Sequence, residues 1–397
     1  GVNSVIKTLI GNGAPQAVTL LPADLATLGN GTITVNATTS DAAGNVSVAA
    51  TTTSFVLDTV APGAPALVVS ATNANATSAE AIAGAVTVSA EAGSTVVVTF
   101  TGALGGIVTK TLTGSVLPQA VALDALAGDL TTLGNGTISV TATTTDVAGN
   151  VSVSSATSFI LDSVAPVIPA LVVVPGASLA TAAEAIAGAV TVSAEAGTTV
   201  SVVFNNGASN VVKTLIATGV PQVVALAANE VTALGNGAIL VNATATDVAG
   251  NVSPAGATSF TIDTVAPAAP TFAVVAAAAT AAEALLGAVT VTAELNALIS
   301  VTLTNVANNT AVTLLRNGTG GPLAVDLTAG ELATLGDGTI TVSATATGAA
   351  GNVSLASAAT SFVLDTASPV APTLANIAVG TTSAAEAIAG AVTVTAE

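Results

Sequence analysis

A near-identical block returns about every hundred residues, and this periodicity restricts the fold more than any other feature. "TSFVLDTVAPGAP" at Thr53–Pro65 comes back as "TSFILDSVAPVIP", "TSFTIDTVAPAAP" and "TSFVLDTASPVAP". Its aspartates, Asp58, Asp162, Asp263 and Asp365, are spaced 104, 101 and 102 residues apart. "DAAGNVS" from Asp41 recurs from Asp146 and Asp247, and as "GAAGNVS" from Gly348. "AEAIAGAVTVSAEAG" follows each linker, and "DLATLGNGTITV" from Asp24 recurs from Asp129, Glu230 and Glu331. Solenoid units run to roughly 20–50 residues, so this period is too long for one stacked turn. It fits a complete two-sheet domain of about 100 residues. The expected boundaries are 1–60 (partial), 61–164, 165–265, 266–367 and 368–397 (partial). Gly1 is not a natural start and no signal peptide is visible, so a window on a longer array is expected.

Residues 61–164 read as strands separated by turn signals. "PALVVSAT" is the first strand. "GAVTVSAEA" is the second, alternating Val86, Val88 and Ala90 against Thr87 and Ser89. "STVVVTF", "GIVTKTLTG" and "PQAVALD" follow. "AGDLTTLGNG" is one helical turn ended by Gly134, then an Asn-Gly turn. "GTISVTATTTD" and "VSVSSATSFILD" flank the loop "DVAGN", with Asn expected in a left-handed conformation. The fold class expected is all-β, a tandem array of seven-stranded immunoglobulin-like β-sandwich domains. Phe55, Phe159, Phe260 and Phe362 share one phase and are expected to plug the cores, each worth roughly 2 kcal/mol of transfer energy.

Composition narrows the function classes. The chain has 22 acidic and 4 basic side chains, a formal net charge of −18, and no Cys, His, Met, Trp or Tyr. Phosphate backbones and anionic lipid both need Lys and Arg, so neither nucleic acid nor a membrane surface is an expected partner. No apolar run is long enough to span a bilayer. Without Cys no disulfide framework forms. Without His or Cys the usual general base and thiolate nucleophile are missing, and no aromatic platform exists for a sugar. An enzyme is not expected.

"TATDVAGNVS…TSFTIDTVAPAAP" with "AAEA…GAVTVTAE" resembles the bacterial Ig-like (Big) repeats of giant RTX-type and biofilm-associated (Bap-like) surface adhesins. The resemblance spans the whole chain. It implies a secreted, cell-surface stalk, with a retention module and a secretion signal elsewhere, and Ca²⁺ at domain junctions in many members. The very low charge and the loop position Gly348 depart from the pattern.

Nineteen of the 22 carboxylates fall in five recurring phases. Sandwich topology is expected to put Glu91, Glu195, Glu294, Asp146 and Asp247 at the pole where the chain enters, facing the linker acids Asp58, Asp162 and Asp263. Glu80, Glu184 and Glu283 are expected at the opposite pole. Each junction would gather three or four oxygen-bearing side chains. Ca²⁺ takes six to eight oxygens, and packed carboxylates repel without a cation. The metal candidates are therefore Asp58, Glu80, Glu91, Asp146, Asp162, Glu184, Glu195, Asp247, Asp263 and Glu294, with Ca²⁺ as the ion. Asp162 with Glu195, Asp247 and Glu80 or Glu184 is the best supplied cluster, and Gly348 weakens the one at Asp263. The alternative is purely structural: Asp in "DxAGN" closing an Asx turn, and the linker Asp capping an amide. The acid before "LGNG" is expected to serve a helix N-terminus. Lys7, Lys110, Lys213 and Arg316 share a phase and read as solvated strand residues. Asn-x-Ser/Thr triplets such as those at Asn30, Asn45 and Asn150 are expected by chance in this composition.

The function expected is that of an extracellular stalk supporting adhesion and biofilm, whose partners are neighbouring repeats of the same chain. The rival is a self-assembling filament or surface layer with homo-oligomeric lateral packing, which 7% charged residues would favour. Direct carbohydrate binding lacks aromatic support.

Overall fold

The computed structural model describes residues 3–70, 74–174, 176–376, 381, 383–388 and 392–396. The chain divides into two compact units. One is Gly1–Ile168 with Ala194–Val200 and Thr244–Pro254; the other is Pro169–Ser193 with Ser201–Ala243 and Ala255–Glu397.

The first unit holds the repeat 61–164 entire. Its elements are β1 (Ala66–Val69), β2 (Asn75–Ala76), α1 (Ser78–Ala83), β3 (Val86–Ser89), β4 (Thr95–Thr101) and β5 (Ile107–Thr113). Then come β6 (Gln119–Ala120), α2 (Asp129–Leu133), β7 (Gly136–Thr145) and β8 (Ser155–Leu161). One sheet has the order β1-β3-β6 and the other β2-β8-β7-β4-β5. Alternation decides which side chains face inward. In β4, Val96, Val98 and Phe100 are buried while Val97, Thr99 and Thr101 are not. In β7, Ile138, Val140 and Ala142 are buried in the same way. These residues meet Val86, Val88, Phe159 and Leu161 in a single apolar core. The side-chain period of two thus turns sequence alternation into one dry face per sheet.

The repeat is all-β with two short helices, and it differs from expectation in two places. The first predicted strand is β1 alone, and a further short strand outside that expectation, β2, follows it. β1 pairs antiparallel with β3, whereas β2 pairs parallel with β8, through Ile160↔Asn75 and Leu161↔Ala76. The repeat therefore has eight strands rather than seven, because the chain changes sheets between residues 69 and 75. The predicted loop around Glu80 contains the helix α1. Its cause is a capping box: Glu80 N donates to Thr77 Oγ1 at 3.3 Å, and Thr77 N donates to Glu80 Oε2 at 2.9 Å.

In the second unit the repeat 266–367 has the same order. A three-stranded sheet is formed by Thr271–Val274, Val289–Thr292 and Leu323–Ala324. A five-stranded sheet is led by Ala278–Ala279 against Thr360–Leu364. Its core includes Val289, Val291, Ile299, Val301, Leu303, Ile340, Val342, Phe362 and Leu364. Eight strands also form in 165–265, where Phe204 and Phe260 stack edge to face with centroids 6.3 Å apart. Phe159, Phe260 and Phe362 are core residues, as expected, whereas Phe55 is 43% exposed. Phe100 and Phe204 are buried more completely still. At the start of the chain Gly31–Val35 pairs with Thr53–Leu57, and near its end Thr373–Asn376 pairs with Val392–Thr395.

Candidate functional site: the junction between repeats

The linker after each last strand is held at three points by its own residues. Asp58 Oδ1 accepts from Val60 N at 3.0 Å, and Asp162 and Asp263 do the same for Val164 and Val265 at 3.1 and 3.0 Å. This is an Asx turn, with the acid mimicking a backbone acceptor. The Asn of "LGNG" reaches over from the foot of β7 and its counterparts. Asn135 Oδ1 accepts from both N and Oγ of Ser163, at 3.1 and 2.7 Å; Asn30 and Asn236 do so for Thr59 and Thr264. Asp337 replaces that Asn in the last repeat and holds Thr366 identically. Next, the linker prolines Pro62, Pro166 and Pro267 are buried.

The hairpin loop of the following repeat meets this linker. Asp146 Oδ1 accepts from Asn150 N at 2.9 Å and Oδ2 from Asn150 Nδ2 at 2.8 Å. The same Nδ2 donates to the backbone carbonyl of Asp58 at 3.2 Å. Asn251 repeats the arrangement, bonded to Asp247 Oδ2 at 2.9 Å and to the carbonyl of Asp162 at 3.0 Å. In the second unit Asn352 donates to the carbonyl of Asp263 at 2.7 Å, with Gly348 where the acid would stand. The purely structural alternative, an Asx turn with a left-handed Asn, differs here in one respect: Gly149, Gly250 and Gly351 take the positive φ, at 96°, 103° and 95°, and the Asn residues do not. Only Gly adopts that conformation without strain, so the Asn side chain is left free to bridge.

The electrostatics of the loop follow from these bonds. The Asn150 side-chain amide, helped by backbone N–H groups and opposed by burial, holds the Asp146 carboxyl below its usual range. Burial pushes Asp247 up, but the Asn251 side chain and three backbone N–H groups outweigh it and leave the group lowered.

The candidate metal ligands are placed as follows. Asp146 and Asp247 lie at the junction, bonded to their own loops. Asp58, Asp162 and Asp263 lie there too, but offer the Asn a carbonyl rather than a carboxylate. Glu80, Glu184 and Glu283 close the capping boxes of α1 and its counterparts, at 2.9, 2.8 and 2.8 Å to the Thr N–H. That helix start does lie at the far pole: a Cβ added to Gly250 would come within 3.8 Å of Thr77 Cγ2. Glu91 and Glu195 contribute backbone carbonyls to Ser94 and Thr198, and Glu294 Oε1 accepts from Ala268 N at 2.9 Å. Among the described residues, no three His, Cys, Asp or Glu side chains converge as a metal ion would require. Asp146, Asp247, Glu80, Glu184 and Glu294 already accept from N–H groups, and the described residues do not present the convergent set of roughly six to eight oxygens that Ca²⁺ takes.

Lys7, Lys110 and Lys213 are not simply solvated. They pair with Asp24, Asp129 and Glu230, the acids before "LGNG". Arg316 instead pairs with Asp326 at 3.0 Å. Asp24, Asp129 and Glu230 also accept a backbone N–H at the helix start, each at 2.6 Å, the role expected for them. Lys110, Lys213 and Arg316 thus tie an edge strand (β5 or its counterpart) to the segment at or just before a helix start, and Lys7 ties a segment outside any strand to the helix that starts at Pro22. The shared phase of cation and acid was the available signal.

No protein-family model and no curated protein sequence matches the chain. Solved structures similar to it include a tetra-tandem repeat in the extending region of a large adhesion protein. That one is 22% identical, covers 87% of this chain and 84% of its own, and has a TM-score of 0.32. A structure concerned with host cell surface retention of a 1.5-MDa bacterial ice-binding adhesin is 22% identical, with 77% and 98% coverage and a TM-score of 0.34. The FN1–FN3 domains of chicken CNTN1 are 9% identical, with 77% and 99% coverage and a TM-score of 0.28. At these TM-scores the likeness decides neither fold nor function, and both rest on the chain's own sheets and junctions.

Proposed function

We propose that this chain is a section of the stalk of a repetitive extracellular bacterial adhesin, which extends a terminal binding module and supports attachment and biofilm. The observation that carries this reading is the recurrence of one junction at Asp58, Asp162 and Asp263, each gripped by the next repeat's loop Asn. A chain that spends its repeated residues on linking modules is organised for reach. Strands of 7–10 residues at ~3.3 Å each give a module on the order of 30 Å of span. No helix of the described residues is long and apolar enough to cross a membrane. The residue types on which most catalysis relies are missing from the composition, so no reaction is assigned.

Lateral assembly into a filament is the second reading. It is favoured by bare apolar side chains, among them Leu104, Leu126 and Val147, which are 94%, 101% and 94% exposed. Electron microscopy with sedimentation velocity separates the two. The stalk reading requires single strings at every concentration, and ordered bundles growing with concentration would replace it by the filament.

A further inference from the structure

We infer that Asn150, Asn251 and Asn352 are latches that fix each repeat on the one before, and that these junctions are set without a metal ion. A primary amide has two N–H groups on one planar nitrogen. In the first two latches, one is held by the loop acid and the other meets the preceding linker's carbonyl, at 3.2 Å for Asn150 and 3.0 Å for Asn251. The carbonyl they grip is itself immobilised. It belongs to the residue whose side chain forms the Asx turn, and the next residue is pinned by the "LGNG" Asn. A bond between two pinned partners fixes an orientation, whereas a bond between mobile ones does not.

The third junction separates the roles of the two loop residues. Gly348 offers no carboxylate, yet Asn352 still reaches the carbonyl of Asp263 at 2.7 Å, and Gly348 N still closes the loop on Asn352 O at 2.9 Å. The Asn is therefore the linking group, and Asp146 and Asp247 are positioning residues. Both partners in the Asn-to-carbonyl bond are neutral, so that bond carries no titrating group of its own, unlike a junction of carboxylates bridged by an ion; the charge lies on Asp146 and Asp247, which only position the amide. Asp146 and Asp247 accept from N–H groups of their own loops, and among the described residues no three acids converge on a metal-sized site. The inference concerns the junction alone and does not depend on where the chain works.

The test is small-angle X-ray scattering of the full chain in calcium and in EGTA, alongside Asn150→Ala/Asn251→Ala/Asn352→Ala and the corresponding triple Gln variant. The wild-type distance distribution is expected to be the same in both buffers. Both triple variants are expected to broaden it while far-UV circular dichroism keeps its strand signal. Asp146→Ala/Asp247→Ala is expected to broaden it less. A wild-type distribution that changes on chelation would overturn the metal-free junction, and it does so without any variant. Triple variants that fold and scatter like the wild type would overturn the latch. Failure of either arm leaves the stalk reading to its own imaging test.

Discussion

Asp146 and Asp247 use the same carboxylate chemistry as the expected metal ligands, but they direct it at an Asn amide. Both are held below their usual range, as are Asp24, Asp41, Asp129, Glu230, Glu283 and Asp326. A carboxyl whose folded pKa is depressed stabilises the fold fully above its unfolded value, near 4. That stabilisation is lost as pH falls through the depressed folded value. Relief of repulsion among 22 acids opposed by 4 bases acts in the other direction. The local bonds are expected to dominate, since each is within hydrogen-bond range while the like charges are mostly screened. Calorimetry should give a flat Tm between about pH 7 and 5 and a decline below about pH 4. A Tm that rises on acidification would show that repulsion wins. The partly exposed Lys–carboxylate pairs add little, because solvent screens them and holding two long side chains in one geometry costs entropy.

At the scale of the element, the short helix after β2 is the part most dependent on one residue. Six residues are too few to persist by propensity alone. Thr77, Thr181 and Thr280 each accept the N3 amide, and the Glu three residues on answers the Thr N–H. Thr181→Ala should cost about 1 kcal/mol, and measurably lower the urea midpoint without changing the m-value. An unchanged midpoint would mean that packing of Ala185 against its core holds the helix unaided. The hairpin joining β4 and β5 is fitted just as closely. A Cβ at Gly106 would fall 1.8 Å from the carbonyl oxygen of Thr132, at the end of α2. Gly106→Ala must push helix and hairpin apart, with an expected loss of about 1–3 kcal/mol in denaturant unfolding.

At the scale of the molecule, the repeats 61–164 and 266–367 each carry their own pair of sheets and their own buried cluster, so the repeats should unfold one at a time under tension. About 100 residues at ~3.5 Å each, less the folded span, give roughly 300 Å of new contour per event. Single-molecule stretching should show events of this equal size. One large event covering several repeats would mean that the sheets cooperate across the junctions.

Much of this was legible before any coordinates. Spacing of the "TSF…D…AP" blocks marked the repeat, alternation marked β4, β7 and β8, and "DxAGN" marked the hairpin loop. The Thr-x-x-Glu signature of the first helix was present at Thr77–Glu80 but was hidden inside a predicted loop. The short strand β2 carried no local signal, because Asn75 and Ala76 are residue types poor in strands and the strand forms only by pairing with the distant Ile160–Leu161. Asp146 and Asp247 lie in the hairpin loops as their phase suggested, and there they accept from the loop's own N–H groups. A carboxylate's position in a sequence does not say whether an N–H or a cation lies within reach of it.

The amino-acid sequence alone determined the period, the sandwich class and the face each strand buries, since those follow from local patterning repeated along the chain. Only the tertiary structure decided what the junctions are made of. The bond from Asn251 to the carbonyl of Asp162 joins groups 89 residues apart, and no local pattern specifies which of several nearby acceptors an amide will choose.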